Sequence, residues 1–131
     1  ANPKGTIQGI FGHNANQALG ILAAVEEAGR LDDPIYIVGG DLEEEAITAI
    51  QEGKLLGTND RNPMAIGATA YQMAAAILNG DKDKMPYAVL VPPVMFTQDN
   101  LNKIDDPFYQ LEASPKVVFQ TYEEFAPRLN S

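Results

Sequence analysis

Apolar and polar positions alternate in blocks along this chain. A short apolar run at Thr6–Phe11, bounded by Pro3/Gly5 and Gly12, predicts a buried strand. Polar residues follow at once in "FGHNANQALG", after which Leu19, Leu22 and Val25, with Ala18 and Ala28, recur every roughly 3.6 residues. That spacing predicts a helix over Asn16–Gly29, capped by Asn14 or Asn16 and closed by Gly29. Pro34–Val38 ("PIYIV") predicts a second strand from its β-branched and aromatic content. A second helix follows over Asp41–Glu52. Its buried stripe is Ala46, Ile47 and Ile50, its first turn holds Glu43, Glu44 and Glu45 at the positive end of the dipole, and Gly53 ends it.

Leu55–Thr58 predicts a third strand, and Pro63–Asn79 a long third helix with Pro63 in its first turn. Met64, Ala68, Tyr71, Ala75 and Leu78 lie along one face of that helix, and Gly80 stops it. Tyr87–Val91 predicts a fourth strand, broken by Pro92-Pro93. Beyond Phe96 the pattern weakens; Val117–Phe119 reads as a strand and Tyr122–Leu129 as a short helix.

This order predicts the α/β class: a parallel β-sheet with helices on both faces. In such sheets ligands bind beyond the carboxyl ends of the strands. His13, Asn14 and Asn16 follow the first strand, Gly39, Gly40 and Asp41 the second, and Asn59, Asp60 and Arg61 the third. Three successive strands thus deliver polar groups to one edge. Turns favour Asn, Asp and Gly for local reasons as well, so a binding edge and ordinary turns are both open readings.

Composition narrows the chemistry. The 131 residues amount to about one domain, and a 45% hydrophobic content is enough for a core. A net charge of -9 argues against a nucleic-acid partner or an anionic membrane surface. The Ala-rich stretch around Met73–Leu78 is too short to cross a membrane. Absence of Cys removes disulfides, thiolate nucleophiles and zinc–thiolate sites. His13 is the one His, so neither a metal site nor a cofactor is expected, and the two Ser, Ser114 and Ser131, both lie in the irregular tail. The opening residues Ala1–Gly5 carry no initiator Met and no signal-peptide pattern, which suggests a processed product or a piece of something longer.

His13 and Asp41, on successive strand ends, are the one available acid–base pair. "VGGD" lacks the glycine spacing of a phosphate loop, and the Glu residues after it would repel phosphate. Asp and Asn suit neutral polyols instead: a carboxylate accepts hydroxyl hydrogen bonds, and a carboxamide both donates and accepts. Arg61 adds five donors in a fixed fork. The structural alternatives are Asp41 as a helix cap and Arg61 as a loop residue paired with Asp60.

Four segments in order carry a resemblance: "IQGIFGHNANQALGILAAVEEAGR", "IYIVGGDLEEEAITAIQEGKLLGT", "NPMAIGATAYQMAAAILNGD" and "VLVPPVMFTQDNL". Over about residues 6–102 the chain resembles the C-terminal part of type 1 periplasmic binding proteins, the sugar-binding components of ABC transporters of the ribose- and galactose-binding type. Sugar-responsive repressors share this lobe but carry paired prolines and threonines at the third strand, absent here, and rank second. A free-standing α/β interaction domain is the remaining alternative.

The resemblance implies a two-lobed, non-enzymatic binder that closes on a carbohydrate-like ligand and is recognised by a membrane permease. It implies a periplasmic or extracellular location. The family's Asn-Asp pair after the first strand corresponds to Asn14 and Ala15, so half of that contact is lost unless Asn16 supplies it. The family's sugar-holding Asp corresponds to Asp41, and Gly40 stands where an aromatic often precedes it, so a stacking surface is lost or widened. Arg61 takes the place of a Gln or Asn near the hinge, which points to an anionic or acceptor-rich ligand group. His13 adjoins the matched Asn.

The resemblance also divides the chain. Residues 1–61 form a βαβαβ segment of the C-terminal lobe, and 62–86 a helix that packs on the opposite lobe. Residues 87–101 hold a strand returning at the hinge, and 102–131 a C-terminal extension whose five aromatics cover the sheet or hinge. The third helix then lacks a partner for its apolar face. The missing N-terminal portion is expected as a second chain or through a swapped oligomer.

Overall fold

The computed structural model describes residues 2–106, 109, 118–125 and 127. The chain divides into two compact units. One comprises the residues up to Arg61 together with Val94–Asp106; the other comprises Asn62–Pro93 and the described residues after Asp106.

The first unit is built on a four-stranded sheet. Strands β1 (Gly9–Phe11), β2 (Tyr36–Gly40) and β3 (Gly57–Asp60) are parallel, and β5 (Val94–Thr97) closes on β3 in the antiparallel sense, giving the order β1-β2-β3-β5. Helix α1 (Ala15–Glu27) connects β1 to β2, and α2 (Glu44–Gln51) connects β2 to β3. The mixed α/β fold, with its parallel strands and connecting helices, is the one the alternation of apolar blocks predicts.

The core sits where α1, α2 and the sheet meet. Ala15, Ala18, Leu22 and Val25 of α1 pack with Ile37 of β2, with Ala46, Ala49 and Ile50 of α2, and with Leu55. Small residues on both helices permit close approach. Gly12 is part of the same economy of space: a Cβ there would stand 2.5 Å from the backbone nitrogen of Ala18. Phe96 of β5 and Thr58 of β3, paired across the strands, are fully buried.

Two boundaries differ from the sequence expectation in a way that matters for function. The second strand runs on through Gly39 and Gly40, and the third begins at Gly57 and extends to Asp60. The apolar pair Leu55-Leu56 suggested an earlier start, but Leu55 faces the helices from the preceding turn. Strand β5, which no sequence pattern predicts, begins directly after Pro92-Pro93, the break expected after the fourth strand.

In the second unit, α3 (Pro63–Leu78) starts at Asn62, whose side chain accepts a 3.2 Å hydrogen bond from the Ala65 N–H. Strand β4 (Ala88–Leu90) pairs with β6 (Val118–Gln120) in an antiparallel two-stranded sheet, so the fourth strand does not join the parallel set. A four-residue helix, α4 (Tyr122–Phe125), follows. Tyr71 and Leu78 of α3 are exposed, as are Met64, Ile66 and Ile77. No described helix is long and apolar enough to cross a membrane. Phe108, Ser114, Val117, Ser131 and most of the end of the expected tail helix lie outside the described residues.

Candidate functional site

The first polar cluster is shaped by helix capping. Asn14 is the N-cap of α1, with extended backbone, and its Oδ1 accepts a 2.9 Å hydrogen bond from the Gln17 N–H. The Gln17 side chain reaches back and accepts a 2.8 Å bond from the His13 N–H. This reciprocal arrangement satisfies donors that the helix start would otherwise leave open. It uses the Asn14 oxygen and leaves the Asn14 NH2 unengaged among the described residues. Asn16 lies in the first turn of α1 and is exposed. His13 is exposed, and its ring makes no hydrogen bond or ion pair among the described residues.

The second cluster centres on Asp41. Its backbone is left-handed, with φ 69°, a conformation uncommon for residues other than glycine. Strand β3 holds it there from two sides. The Asp41 N–H donates to the Asn59 carbonyl at 2.7 Å, and the Asp41 carbonyl accepts from Thr58 Oγ1 at 2.8 Å. A strained residue fixed by its surroundings in this way is a recognised mark of a functional position. Asp41 is not the cap of α2; that helix begins at Glu44 with Glu43 as its N-cap, so the capping alternative falls away.

The third cluster supplies Arg61, and it reaches across to Asp41. Arg61 Nε lies 3.0 Å from Asp41 Oδ1, and Nη2 donates to Oδ2 at 3.2 Å. The two groups form an ion pair in which one contact, Nη2 to Oδ2, is a hydrogen bond. The acid–base pair considered for His13 and Asp41 is not what forms, because both Asp41 oxygens face Arg61. The Arg61 side chain stays 59% exposed and that of Asp41 34%, so both are open to a further partner. Arg61 Nη1 makes no hydrogen bond among the described residues.

Gly40 stands between these groups. It is buried, and a Cβ there would lie 2.8 Å from the His13 carbonyl oxygen and 2.9 Å from Asn59 Oδ1. The space an aromatic at this position would take is therefore filled by polar atoms and is not widened. Asn59, expected in the polar cluster after the third strand, lies within β3. The register that pairs Gly40 with Asn59 puts both on one side of the sheet, and only the corrected strand boundary reveals it. Among the described residues no group of three His, Cys, Asp or Glu is placed to hold a metal ion.

Together these residues form an open, polar shelf at the carboxyl ends of three parallel strands. It carries one neutralised acid–base charge pair, carboxamides and an imidazole. Such a surface can exchange several neutral hydrogen bonds with hydroxyl groups, and it contains no arranged nucleophile.

The family model described as periplasmic binding protein domain matches residues 1–82. The ribose import binding protein of Salmonella typhimurium is 35% identical over 83 residues, covering 63% of this chain and 27% of that protein. The xylitol-binding protein of Mycolicibacterium smegmatis is 31% identical over 96 residues, covering 73% of this chain and 26% of the relative. Among solved structures, a periplasmic solute binding protein of an ABC transporter from Actinobacillus succinogenes, with bound D-allose, superimposes with a TM-score of 0.63. It shares 31% identity, covering 74% of this chain and 33% of that one. The chain spans about a quarter of the length of the curated relatives it matches.

Proposed function

The chain belongs to the periplasmic binding protein domain family, and from that premise we propose that it forms one wall of the ligand cleft of a solute-binding component of an ABC transporter. The ligand is a sugar or sugar-like polyol. Asp41 accepts hydrogen bonds from its hydroxyls, Arg61 donates to its oxygens, and Asn14 NH2 and His13 line the same shelf. Asn16 and Gly40 border it. The observation that carries the reading is Asp41 itself: a strained residue, pinned by Thr58 and Asn59 at a strand's carboxyl end, with its carboxylate oriented by Arg61.

The rest of the proposal follows from the family. Closure of two lobes sequesters the ligand, and a membrane permease reads the closed form. The role is binding without turnover, in the periplasm or outside the cell. The opposite wall comes from polypeptide beyond these 131 residues, whether in the same longer chain, a second chain or a swapped oligomer. Native mass spectrometry beside denaturing mass analysis distinguishes such an assembly from a 14.2 kDa monomer.

Titration calorimetry with D-ribose, D-allose and xylitol tests the binding role. Saturable uptake of at least one, abolished by Asp41→Ala in a chain that still unfolds cooperatively, is the expected result. The assembly that includes the opposite wall, folded and taking none of them at millimolar concentration, overturns it.

A further inference from the structure

We infer that Asn59 is a specificity-determining residue of this shelf, and that its carboxamide selects a neutral polyol bearing hydroxyl groups on the side turned toward Gly40. The inference rests on the polyol-binding role proposed above and sharpens it.

Three observations meet at Asn59. Its backbone carbonyl accepts the 2.7 Å hydrogen bond that fixes the strained Asp41, so its position relative to the carboxylate is set by the sheet. Its side chain occupies the volume beside Gly40, with Oδ1 2.9 Å from where a Cβ would stand. That side chain has no hydrogen-bond partner among the described residues, whereas Asn14 spends its oxygen on the cap of α1. A half-buried, unpartnered carboxamide beside a clamped carboxylate offers both a donor and an acceptor at a fixed place.

The chemistry separates ligand classes. A sugar ring that rests an apolar C–H face on its site gains from an aromatic or aliphatic wall. At Gly40 that wall is replaced by the Asn59 amide and the His13 carbonyl, both polar. Desolvating them against a C–H face leaves hydrogen-bonding groups unmet, which is unfavourable. An open-chain polyol can turn hydroxyls toward them. Charge points the same way: the Asp41–Arg61 pair is self-neutralising, so the shelf has no free cation set aside for an anionic ligand.

The test is a 15N–1H NMR titration of the chain, isotope-labelled within the assembly that completes the cleft, with xylitol and with D-ribose as probes, following the backbone amides of the shelf, the side-chain NH2 of Asn59 and the Nε–H of Arg61. On the proposal both signals move with xylitol. Asn59→Ala then weakens xylitol about tenfold, the loss expected for one or two hydrogen bonds, and D-ribose less. Asn59→Asp keeps the shape, removes the N–H donors and should weaken xylitol similarly; it guards against a packing effect of the Ala variant. If xylitol shifts Asp41 and Arg61 but leaves Asn59 still, or if both variants bind like the wild type, the role of Asn59 is wrong and the polyol role stands. If neither probe shifts any residue of the shelf, both fail.

Discussion

Thr58 Oγ1 donates a 2.8 Å hydrogen bond to the carbonyl oxygen of Asp41, seventeen residues earlier in the chain. Thr58 is fully buried and Asp41 has a left-handed backbone, so a core residue holds a strained candidate site residue in place. Replacing Thr58 by Val, nearly isosteric, removes that donor. We expect a loss of about 1 kcal/mol in urea unfolding, accompanied by weakened ligand affinity because Asp41 loses one of its two tethers. Unchanged affinity in Thr58→Val would mean that the tether serves the fold alone.

Asp41→Gly separates stability from function at the same point. Glycine adopts φ 69° without steric cost, so the substitution should leave stability unchanged or raise it by up to about 1 kcal/mol. Ligand binding should vanish with the carboxylate. Denaturant midpoints and calorimetry on the same preparation check both halves.

Arg61→Gln tests the clamp. The pair is largely exposed, so its stability contribution should be under about 1 kcal/mol and should shrink as salt is added. The effect on affinity should be larger, because the Asp41 carboxylate loses the group that orients it. A melting temperature that falls steeply in Arg61→Gln at high salt would contradict this account.

Asn14 combines two duties that substitution can divide. Asn14→Ala removes the N-cap of α1 and should cost about 1 kcal/mol. Asn14→Ser caps nearly as well, so stability should return, but the NH2 donor is gone and ligand affinity should stay low. Circular-dichroism melts beside binding isotherms resolve the two.

Two surface ion pairs contribute to the pH response of stability. The Lys4 ammonium, 2.9 Å from Asp32, hydrogen-bonds that carboxyl and holds it below the usual aspartate range. A depressed folded-state value means that the contribution is present above the unfolded aspartate pKa and is lost as pH falls through the folded one. Lys54 lies between Glu52 and Glu26, whose carboxylates raise it, Glu52 first. Its contribution is complete below the unfolded lysine pKa and is lost only as pH rises through the raised value. Stability should therefore fade gently at both extremes, and Asp32→Asn should flatten the acid limb in a pH series of thermal melts.

Much of the first unit was legible in the sequence because α1 and α2 bury one stripe each. Leu22 and Val25 with Ala18, and Ala46 with Ile50, fall at helical spacing and do form the core. What was not legible depended on partners far along the chain. Strand β5 has only four residues and follows two prolines, and its strand character comes from pairing with β3. The end of β3 was set by that same pairing, and with it the position of Asn59. The polar clusters at the strand ends could be read locally, but the Arg61–Asp41 contact could not. It spans twenty residues and depends on the register that brings two strand ends side by side.

The left-handed backbone at Asp41 also limits how this shelf can change over generations. Gly enters that conformation freely and Asn and Asp at a modest cost, whereas Glu, the other carboxylate, would have to strain the chain further to serve there. Variation of ligand preference is thereby channelled away from position 41. New preferences should arise at His13, Asn59 and Arg61, whose backbones tolerate a wider range of side chains, around an anchor the fold keeps nearly constant.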